Sequence, residues 1–306
     1  MDRIIRCITS DGSIMASVMD SSDLVYTAQR IHKTSPVATA ALGRLLTAAS
    51  MMGAQLKQKN ASITLKINGG GPIGPVIAVA DSRGNCKGYV TNPLATVPNK
   101  PSGKLDVSAA VGKEGLLYVI KDSGPGDAYV GHTPLVSGEI AEDITAYYAT
   151  SEQIPTVCAL GVLVDKEDGS VLLAGGLLIQ LLPAAGEEAI SRLETNIANL
   201  EPVTTMLAKG MGMEEICRYA LGGFEVETLD QFEVGYYCNC SRERVLDAIR
   251  LLSEEEIFSL VDENGVAEAT CHFCDKVYRL SMGDLQKLVE EKKKMRKESI
   301  DNESKL

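Results

Sequence analysis

Four cysteines in the last quarter of the sequence are the residues best suited to chemistry. Cys238 and Cys240 form a Cys-x-Cys pair, and Cys271 and Cys274 form a Cys-x-x-Cys pair after 30 intervening residues. Thiolates are soft ligands that zinc prefers, and four of them complete a tetrahedral site with Zn–S distances of about 2.3 Å. The spacing therefore predicts one zinc ion held by these four residues. Because four protein ligands leave no position for a substrate water, the predicted site is structural rather than catalytic.

Competing interpretations of the cysteines are weaker. His272 stands inside the second pair and could compete as a ligand, but four thiols are already available, so we interpret it as a spacer. A chance grouping of small buried side chains is disfavoured because half of the eight cysteines fall within these seven positions. The remaining four occur singly on apolar segments and are predicted to be packed core thiols. They are Cys7, Cys86, Cys158 and Cys217.

The segment between and after the two pairs predicts a small metal-stapled fold. Ser241 is expected to cap a helix that runs to Leu252, and residues 253–256 have the pattern of a capping box. Two short strands, residues 266–270 and 276–280, are expected to flank the second pair. A core of this size supplies about 3–5 kcal/mol, whereas structural zinc supplies about 10–16 kcal/mol. We therefore expect the module to unfold without its metal, and thiol oxidation to change its folding.

The longer N-terminal part of the sequence predicts a mixed α/β domain with antiparallel sheets. Residues 3–9 and 13–19 flank Asp11-Gly12, which is a hairpin signal. Ser35 and Pro36 are suited to the cap and first turn of a long helix that reaches about Lys57. Residues 157–164 and 171–182 predict a second, longer hairpin. Since hairpins outnumber strand–helix–strand units, the fold class is predicted to be α+β.

The domain organisation follows from these patterns. Residues 1–182 are predicted to be the α+β core domain, and residues 183–232 a helical linker of low internal stability, because short helices interrupted by glycines need a partner surface. Incorporation of those helices into the first domain is an equal alternative. Residues 233–286 are predicted to be the small zinc-binding domain, and residues 287–306 a charged helix end with a frayed tail.

Composition narrows the class of function. The chain has 306 residues and a net charge of −11, and residues 178–306 carry 25 acidic against 15 basic side chains. This acidity surrounds the cysteines and counts against nucleic acid as a partner, since phosphate binding needs a basic surface. The first 20 residues lack the apolar core of a signal peptide, and the longest apolar stretch is too short for a bilayer. We therefore expect a cytoplasmic protein without a membrane partner, with reduced thiols.

Two nucleotide-binding motifs are excluded by context or by absence. Gly69, Gly71 and Gly74 match the spacing of a dinucleotide-binding loop, but residues 75–79 predict a strand. No helix N-terminus would then face a pyrophosphate, so a wide turn is the better interpretation. The sequence contains no phosphate-binding G-x-x-x-x-G-K-[ST] motif, which is consistent with a function that does not use ATP.

The two cysteine pairs, the glycine-rich residues 69–74 and the segment from Tyr89 to Pro93 together resemble the redox-regulated bacterial heat-shock chaperone family of about 33 kDa. The resemblance covers nearly the whole chain. It implies an ATP-independent holdase rather than an enzyme, with one zinc ion per chain in the reduced, inactive state. It also implies that oxidants pair Cys238 with Cys240 and Cys271 with Cys274, that zinc leaves and the linker unfolds, and that homodimers bind unfolded or partly folded client proteins.

Two rival functions remain open at this point. A zinc-ribbon nucleic-acid module is disfavoured by the acidic side chains around the cysteines. A thiol–disulfide oxidoreductase would be expected to place its Cys-x-x-Cys at a helix N-terminus, where the dipole lowers the thiol pKa. Cys271 instead follows a segment with the pattern of a strand.

Overall fold

A computed structural model describes residues 2–124 and 126–303. The chain divides into two compact units, Met1–Tyr237 and Cys238–Leu306. In the described part of the first unit there are ten strands: β1 (Asp2–Thr9), β2 (Ile14–Asp20), β3 (Ser62–Gly70), β4 (Val76–Asp81), β5 (Cys86–Val90), β6 (Gly112–Asp122), β7 (Tyr129–Pro134), β8 (Thr156–Val164), β9 (Val171–Leu181) and β10 (Val226–Val234). Its α-helices are α1 (Ser22–His32), α2 (Pro36–Gly53), α3 (Val107–Val111), α4 (Ala141–Tyr147), α5 (Glu187–Ala198), α6 (Val203–Ala208) and α7 (Met213–Ala220).

Two five-stranded antiparallel sheets form the frame of the first unit. Their strand orders are β10-β1-β2-β9-β8 and β5-β4-β3-β6-β7. Helix α2 contacts strands of both sheets, and its small alanine side chains let both sheets pack close to the helix. The predicted start is confirmed, since the Ser35 hydroxyl accepts the Ala38 N–H at 3.3 Å and Pro36 opens the helix. The helix ends at Gly53, slightly earlier than expected. The predicted α+β class with antiparallel sheets is confirmed.

The sheet that contains β1 is apolar on both faces. One face packs on α2, and the other is covered by α5, α6 and α7, which we call the helical cover. The covered face consists of Ile5, Cys7, Ile14, Ala16, Val18, Leu177 and Ile179. The cover contributes Leu193, Val203, Met206, Met213, Ile216, Cys217, Ala220 and Leu221. All of these side chains are buried, so removal of the cover would expose a continuous apolar surface.

Two glycines allow α6 to lie close against this sheet. A Cβ atom at Gly161 in β8 would approach Thr204 Cγ2 to 2.7 Å, and one at Gly175 in β9 would approach Leu207 Cδ1 to 2.8 Å. Real Cβ atoms do not make such contacts, so larger residues would push the helix away. The fit of the cover therefore depends on small residues in the strands beneath it.

Strand β10 is not predicted by the sequence analysis, because residues 226–232 fall in the predicted helical linker and residues 233 and 234 in the predicted zinc-binding domain. It pairs antiparallel with β1 from Val234 opposite Asp2 to Val226 opposite Thr9. A register shift beside Arg6 leaves Leu229 without a partner in the ladder, which removes the apolar alternation that marks a strand. The Arg6 guanidinium makes a two-point ion pair with Asp230, and Arg6 Nε lies 2.7 Å from the carboxylate. These contacts hold β10 at the sheet edge.

The buried carboxyl group of Asp2, at the start of β1, is expected to make the stability of the first unit depend on pH. Asp2 is 3% exposed and accepts the backbone N–H groups of Asp23 and Leu24 at 3.0 and 2.6 Å. Burial raises its pKa to about 6, against the lowering effect of the two N–H bonds. The folded state therefore holds this proton more tightly than the unfolded state. The stability contributed by the carboxyl group is fully present below pH 4 and is lost as the pH rises through 6.

We therefore expect Asp2→Asn, which mimics the protonated group, to gain stability relative to the wild type by about 2–3 kcal/mol between pH 4 and pH 6. Urea unfolding at several pH values measures this difference. Glu114→Gln, at an exposed carboxylate of the same unit, should show no such trend. A constant difference between Asp2→Asn and the wild type would contradict the assignment.

The second unit is small and has its own core. It contains α8 (Arg242–Ile249), α9 (Glu254–Ser259), β11 (Val266–Thr270), β12 (Val277–Ser281) and α10 (Met282–Glu303). Among the described residues, its core cluster consists of Ile249, Ile257, Ala267, Leu280, Leu285, Leu288 and Val289. The predicted capping box is confirmed, since Glu256 N–H donates to the Ser253 hydroxyl at 3.2 Å and Ser253 N–H donates to the Glu256 carboxylate at 2.8 Å. The predicted tail begins within α10, and its residues 304–306 lie outside the described residues.

Across residues 2–124 and 126–303, no helix combines the length and the apolar character needed to cross a membrane.

Candidate metal centre

Cys238 and Cys240 are positioned by the start of α8. They lie in the segment without regular secondary structure that precedes the helix, and Ser241 caps the helix by accepting the Arg244 N–H at 3.3 Å. The predicted cap is confirmed, although α8 ends at Ile249 rather than Leu252. The capped start of α8 thus follows directly after Cys240 in the chain.

Cys271 and Cys274 are positioned by a tight turn between β11 and β12. The Cys271 N–H donates to the Lys276 carbonyl at 3.0 Å, and the Cys271 carbonyl accepts the N–H groups of Cys274 and Asp275 at 3.3 and 2.8 Å. Asp275 adopts a left-handed conformation with φ of 56°. This left-handed residue closes the turn, so both thiols of the pair lie on one side of the hairpin end.

The fold brings the four cysteines together. All four sulfur atoms lie within 4.8 Å of one another and are half-buried. Cys238 Sγ is 3.7 Å from Cys271 Sγ, and Cys240 Sγ is 3.4 Å from Cys274 Sγ. These separations approach the value of about 3.8 Å for two thiolates on a tetrahedral zinc ion. The donor set therefore fits zinc, which when bound would supply a four-point crosslink, and His272 is not a member of the group.

Tyr278 is a neighbour of the cluster that the sequence analysis missed. Its hydroxyl donates a hydrogen bond to Cys240 Sγ at 3.0 Å. Burial raises the pKa of Cys240, but the bonds from Tyr278 and the neighbouring thiols outweigh it and lower the pKa to about 7. Burial raises the pKa of Cys274 to about 12. Strand alternation could have placed Tyr278 beside buried Leu280, but only the folded hairpin shows that it reaches a sulfur.

The surroundings of the glycine-rich stretch, of the second cysteine pair and of the single cysteines can be compared with the sequence predictions. Gly69 and Gly71 lie against the backbone of residues 110–112, and Gly74 leads into β4 rather than a helix, so the glycine-rich stretch is a wide turn. Cys271 follows β11, which is a strand, so the second pair does not begin a helix. Of the four single cysteines, Cys7, Cys86 and Cys217 are buried, and Cys158 is half-buried against the main core.

The two units define a class of protein in which a larger α+β domain is followed by a small unit whose four thiols could hold a metal ion. The family model described as Hsp33 protein matches residues 2–281. The chain belongs to the Hsp33 family, which confirms the resemblance seen in the sequence.

Relatives and a solved structure agree with this assignment. The 33 kDa chaperonin of Acetivibrio thermocellus is 48% identical over 94% of this chain and 97% of its own length. That of Clostridioides difficile strain 630 is 47% identical over 95% of this chain and 99% of its own length. The crystal structure of the 33 kDa chaperonin from Thermotoga maritima matches with a TM-score of 0.86 at 33% identity, and covers 95% of this chain and 98% of that one. These proteins are named as chaperones and not as enzymes, so this chain is a member of a non-enzymatic chaperone family.

Proposed function

We propose that this protein is a redox-regulated, ATP-independent holdase that acts as a homodimer in the cytoplasm on unfolded or partly folded proteins. The observation that carries the proposal is the combination of a four-thiol centre with an apolar sheet face that is covered by short helices. Reduced thiols hold one zinc ion through Cys238, Cys240, Cys271 and Cys274, and the cover stays in place. Oxidation of the thiols exposes the apolar face to clients.

The proposed disulfides are Cys238–Cys240 and Cys271–Cys274. Two thiols lose two electrons and two protons in each bond, and each hydrogen peroxide molecule consumed becomes two waters. The sulfur atoms that would bind the metal are then no longer thiolates, so the crosslink through the metal ion is lost. These bonds close only short rings within each pair and leave the two pairs unconnected.

The alternative pairing, Cys238–Cys271 with Cys240–Cys274, would have the opposite effect. Those bonds would close loops of more than 30 residues and stabilise the unit by about 3–4 kcal/mol. A switch that works by unfolding therefore requires the pairing within each motif. Peptide mapping of the oxidised protein distinguishes the two patterns, and crosswise bonds would argue against unfolding of the unit.

The helical cover is suited to release because its helices are short and because the chain that follows them leads directly into the second unit. Helices α6 and α7 have six and eight residues, and isolated helices of that length are unstable in water. Only three residues separate Cys238 from Val234, where β10 ends. We propose that unfolding after Tyr237 loosens β10 and then the cover, which makes residues 183–232 the metastable linker.

The test treats zinc-loaded, reduced protein with hydrogen peroxide under mild heating. Zinc release, helix content and suppression of aggregation of a heat-unfolded client are measured together. We expect zinc release, loss of helix and a gain of suppression in the same samples, and the same behaviour from the control variant Cys158→Ala. Retained zinc, or equal suppression in both redox states, would contradict the proposal. Catalytic reduction of insulin disulfides would instead indicate an oxidoreductase.

A further inference from the structure

Tyr278 is the side chain through which the β11–β12 hairpin reaches a sulfur of the other cysteine pair. It lies in β12, is 7% exposed and stands opposite Ala269 of β11. Its hydroxyl donates a hydrogen bond to Cys240 Sγ at 3.0 Å. The contact therefore connects the Cys-x-Cys segment directly to the strand that follows Cys274.

We propose that Tyr278 is a positioning residue of the metal centre, whose hydroxyl holds Cys240 Sγ in the metal-binding arrangement, strengthens zinc binding and lowers the reactivity of this sulfur toward oxidants. Zinc binding by the four cysteines is part of the proposed function, and the role of Tyr278 rests on it. Tyr278 acts through the sulfur of Cys240 and is not itself a metal ligand.

The position of the Tyr278 hydroxyl is fixed by its surroundings. Strand alternation turns Tyr278 and Leu280 into the unit, whereas Val277 and Arg279 are exposed. Lys276 Nζ lies 5.1 Å from the centre of the Tyr278 ring, within the range of a cation–π contact. A ring held in this way has little rotamer freedom left to lose, so the hydroxyl is already placed to donate to the sulfur.

A second contact keeps the Cys-x-Cys segment beside β12 independently of Tyr278. Arg242, two residues after Cys240, donates from Nη1 to the Arg279 carbonyl at 2.7 Å. Its other terminal nitrogen makes an ion pair with Asp284 at 2.8 Å. The tyrosine hydroxyl can therefore be removed without separating the two segments, which makes its own contribution measurable.

The charge of the metal centre explains why a donor at a sulfur is favourable. Four thiolates carry more negative charge than one Zn²⁺ ion neutralises, and residues 178–306 are already acidic, with 25 acidic against 15 basic side chains. A hydrogen bond to an ionised acceptor is about twice as strong as one between neutral groups. Outer partners of this kind orient metal ligands and support metal binding.

The same hydrogen bond is expected to affect oxidation. One thiolate of a pair attacks the O–O bond of hydrogen peroxide, which gives a sulfenic acid and hydroxide; the second thiolate attacks that sulfur, an S–S bond forms, and the sulfenic oxygen leaves as hydroxide. Two thiolates thus lose two electrons, and one peroxide becomes two hydroxide ions. Because the bond from Tyr278 withdraws electron density from Cys240 Sγ, this sulfur is a poorer nucleophile than a thiolate without such a donor.

The first experiment measures zinc affinity in the full-length, reduced protein by competition with a chromophoric chelator. Tyr278→Phe removes the hydroxyl and keeps the ring, and we expect the affinity to fall about 10- to 100-fold, as is usual when an outer partner of a metal ligand is lost. Val277→Ala, which shortens an exposed side chain of the same strand, should bind zinc as the wild type does. Equal affinity in Tyr278→Phe and the wild type would overturn the proposal.

The second experiment uses cobalt(II) in place of zinc to observe the sulfur atoms. Loss of the hydrogen bond raises the energy of the Cys240 lone pairs, so the sulfur-to-cobalt charge-transfer band of Tyr278→Phe is expected at longer wavelength than that of the wild type and of Val277→Ala. The spectra are compared at cobalt concentrations that saturate all three proteins. A purely structural role would weaken binding without moving the band, so an unmoved band would overturn the hydrogen-bond role.

A measurement on the wild type does not depend on how the variant folds. With an NMR-active cadmium isotope bound by the cysteines, a coupling between the metal and the Tyr278 hydroxyl proton is expected through the Cys240 sulfur. Absence of this coupling would overturn the proposal.

The last experiment follows zinc release during peroxide treatment. Release is expected to be about 10-fold faster in Tyr278→Phe, the lower end of the effect of a hydrogen bond to a charged group. Equal rates in the variant and the wild type would overturn the effect of Tyr278 on oxidation. A wild type that keeps its zinc in peroxide would instead contradict the proposed function, whereas the affinity, the cobalt band and the cadmium coupling would still decide the role of Tyr278 in metal binding.

Discussion

Chelation of zinc from the reduced protein is expected to unfold residues 238–303 while the two five-stranded sheets of the first unit stay folded. Among the described residues, the core cluster of the second unit contains seven buried apolar side chains, and a core of that size supplies about 3–5 kcal/mol. A four-thiol zinc site supplies about 10–16 kcal/mol. Hydrogen exchange should therefore show loss of protection in β11, β12 and α8 to α10, with protection retained in β3 and β6.

A single-ligand variant gives the same result without a chelator. Cys271→Ser is expected to weaken zinc binding by more than about 100-fold, since loss of a residue that merely supports a ligand already costs 10- to 100-fold. Its second unit should be unfolded in reducing buffer at zinc concentrations that saturate the wild type. Cys158→Ala, which removes a thiol outside the metal centre, is the matched control and should bind zinc normally. Persistent protection of the unit in metal-free protein would show that zinc does not support its fold.

The variant Ile216→Ala is expected to suppress client aggregation in the reduced state, without any oxidant. Ile216 is fully buried between α7 and the sheet, and truncation of a buried isoleucine to alanine costs about 2–5 kcal/mol. That loss is large for a cover made of short helices, whereas the sheets keep their own core on the α2 side. Release of the cover should then occur with zinc still bound.

Aggregation assays on reduced, zinc-loaded protein, combined with hydrogen exchange, measure this effect. Increased exchange is expected in α5, α6 and α7 and not in the strands beneath them. Tyr219→Ala changes the same helix at a side chain that is 46% exposed, and should behave as the wild type. Release of the cover in Ile216→Ala without any gain in suppression of aggregation would mean that the covered sheet face does not bind clients.

Local patterns carried the sequence analysis furthest. The hairpin at Asp11-Gly12, the cap at Ser35 and the capping box at Ser253 depend on residues a few positions apart, and the structure confirms all three. Each cysteine pair belongs to the same category, because it is held by its own short segment, whereas the fold brings the two pairs together. Ligand type and spacing were sufficient to suggest a metal site, although the role of the four residues in redox control stays a proposal.

Contacts between residues far apart along the chain were not predicted from the sequence. Strand β10 lies beside β1 only because the folded sheet offers an open edge there, and the register shift near Arg6 hides its alternation. Tyr278 is the corresponding case in the second unit. Its contact with Cys240 joins residues 38 positions apart, and no local pattern indicates it.

The eight cysteines show which properties the sequence determines and which depend on the tertiary structure. The sequence by itself determined which four thiols form a metal-ligand pattern, since that pattern consists of two closely spaced pairs. It also indicated that the other four are core residues, because each lies on an apolar segment. Only the tertiary structure decided that Cys7 and Cys217 share one buried cluster, since this depends on how α7 packs on β1 and β2. Spacing along the chain determines local geometry, whereas packing of distant elements determines which buried side chains meet.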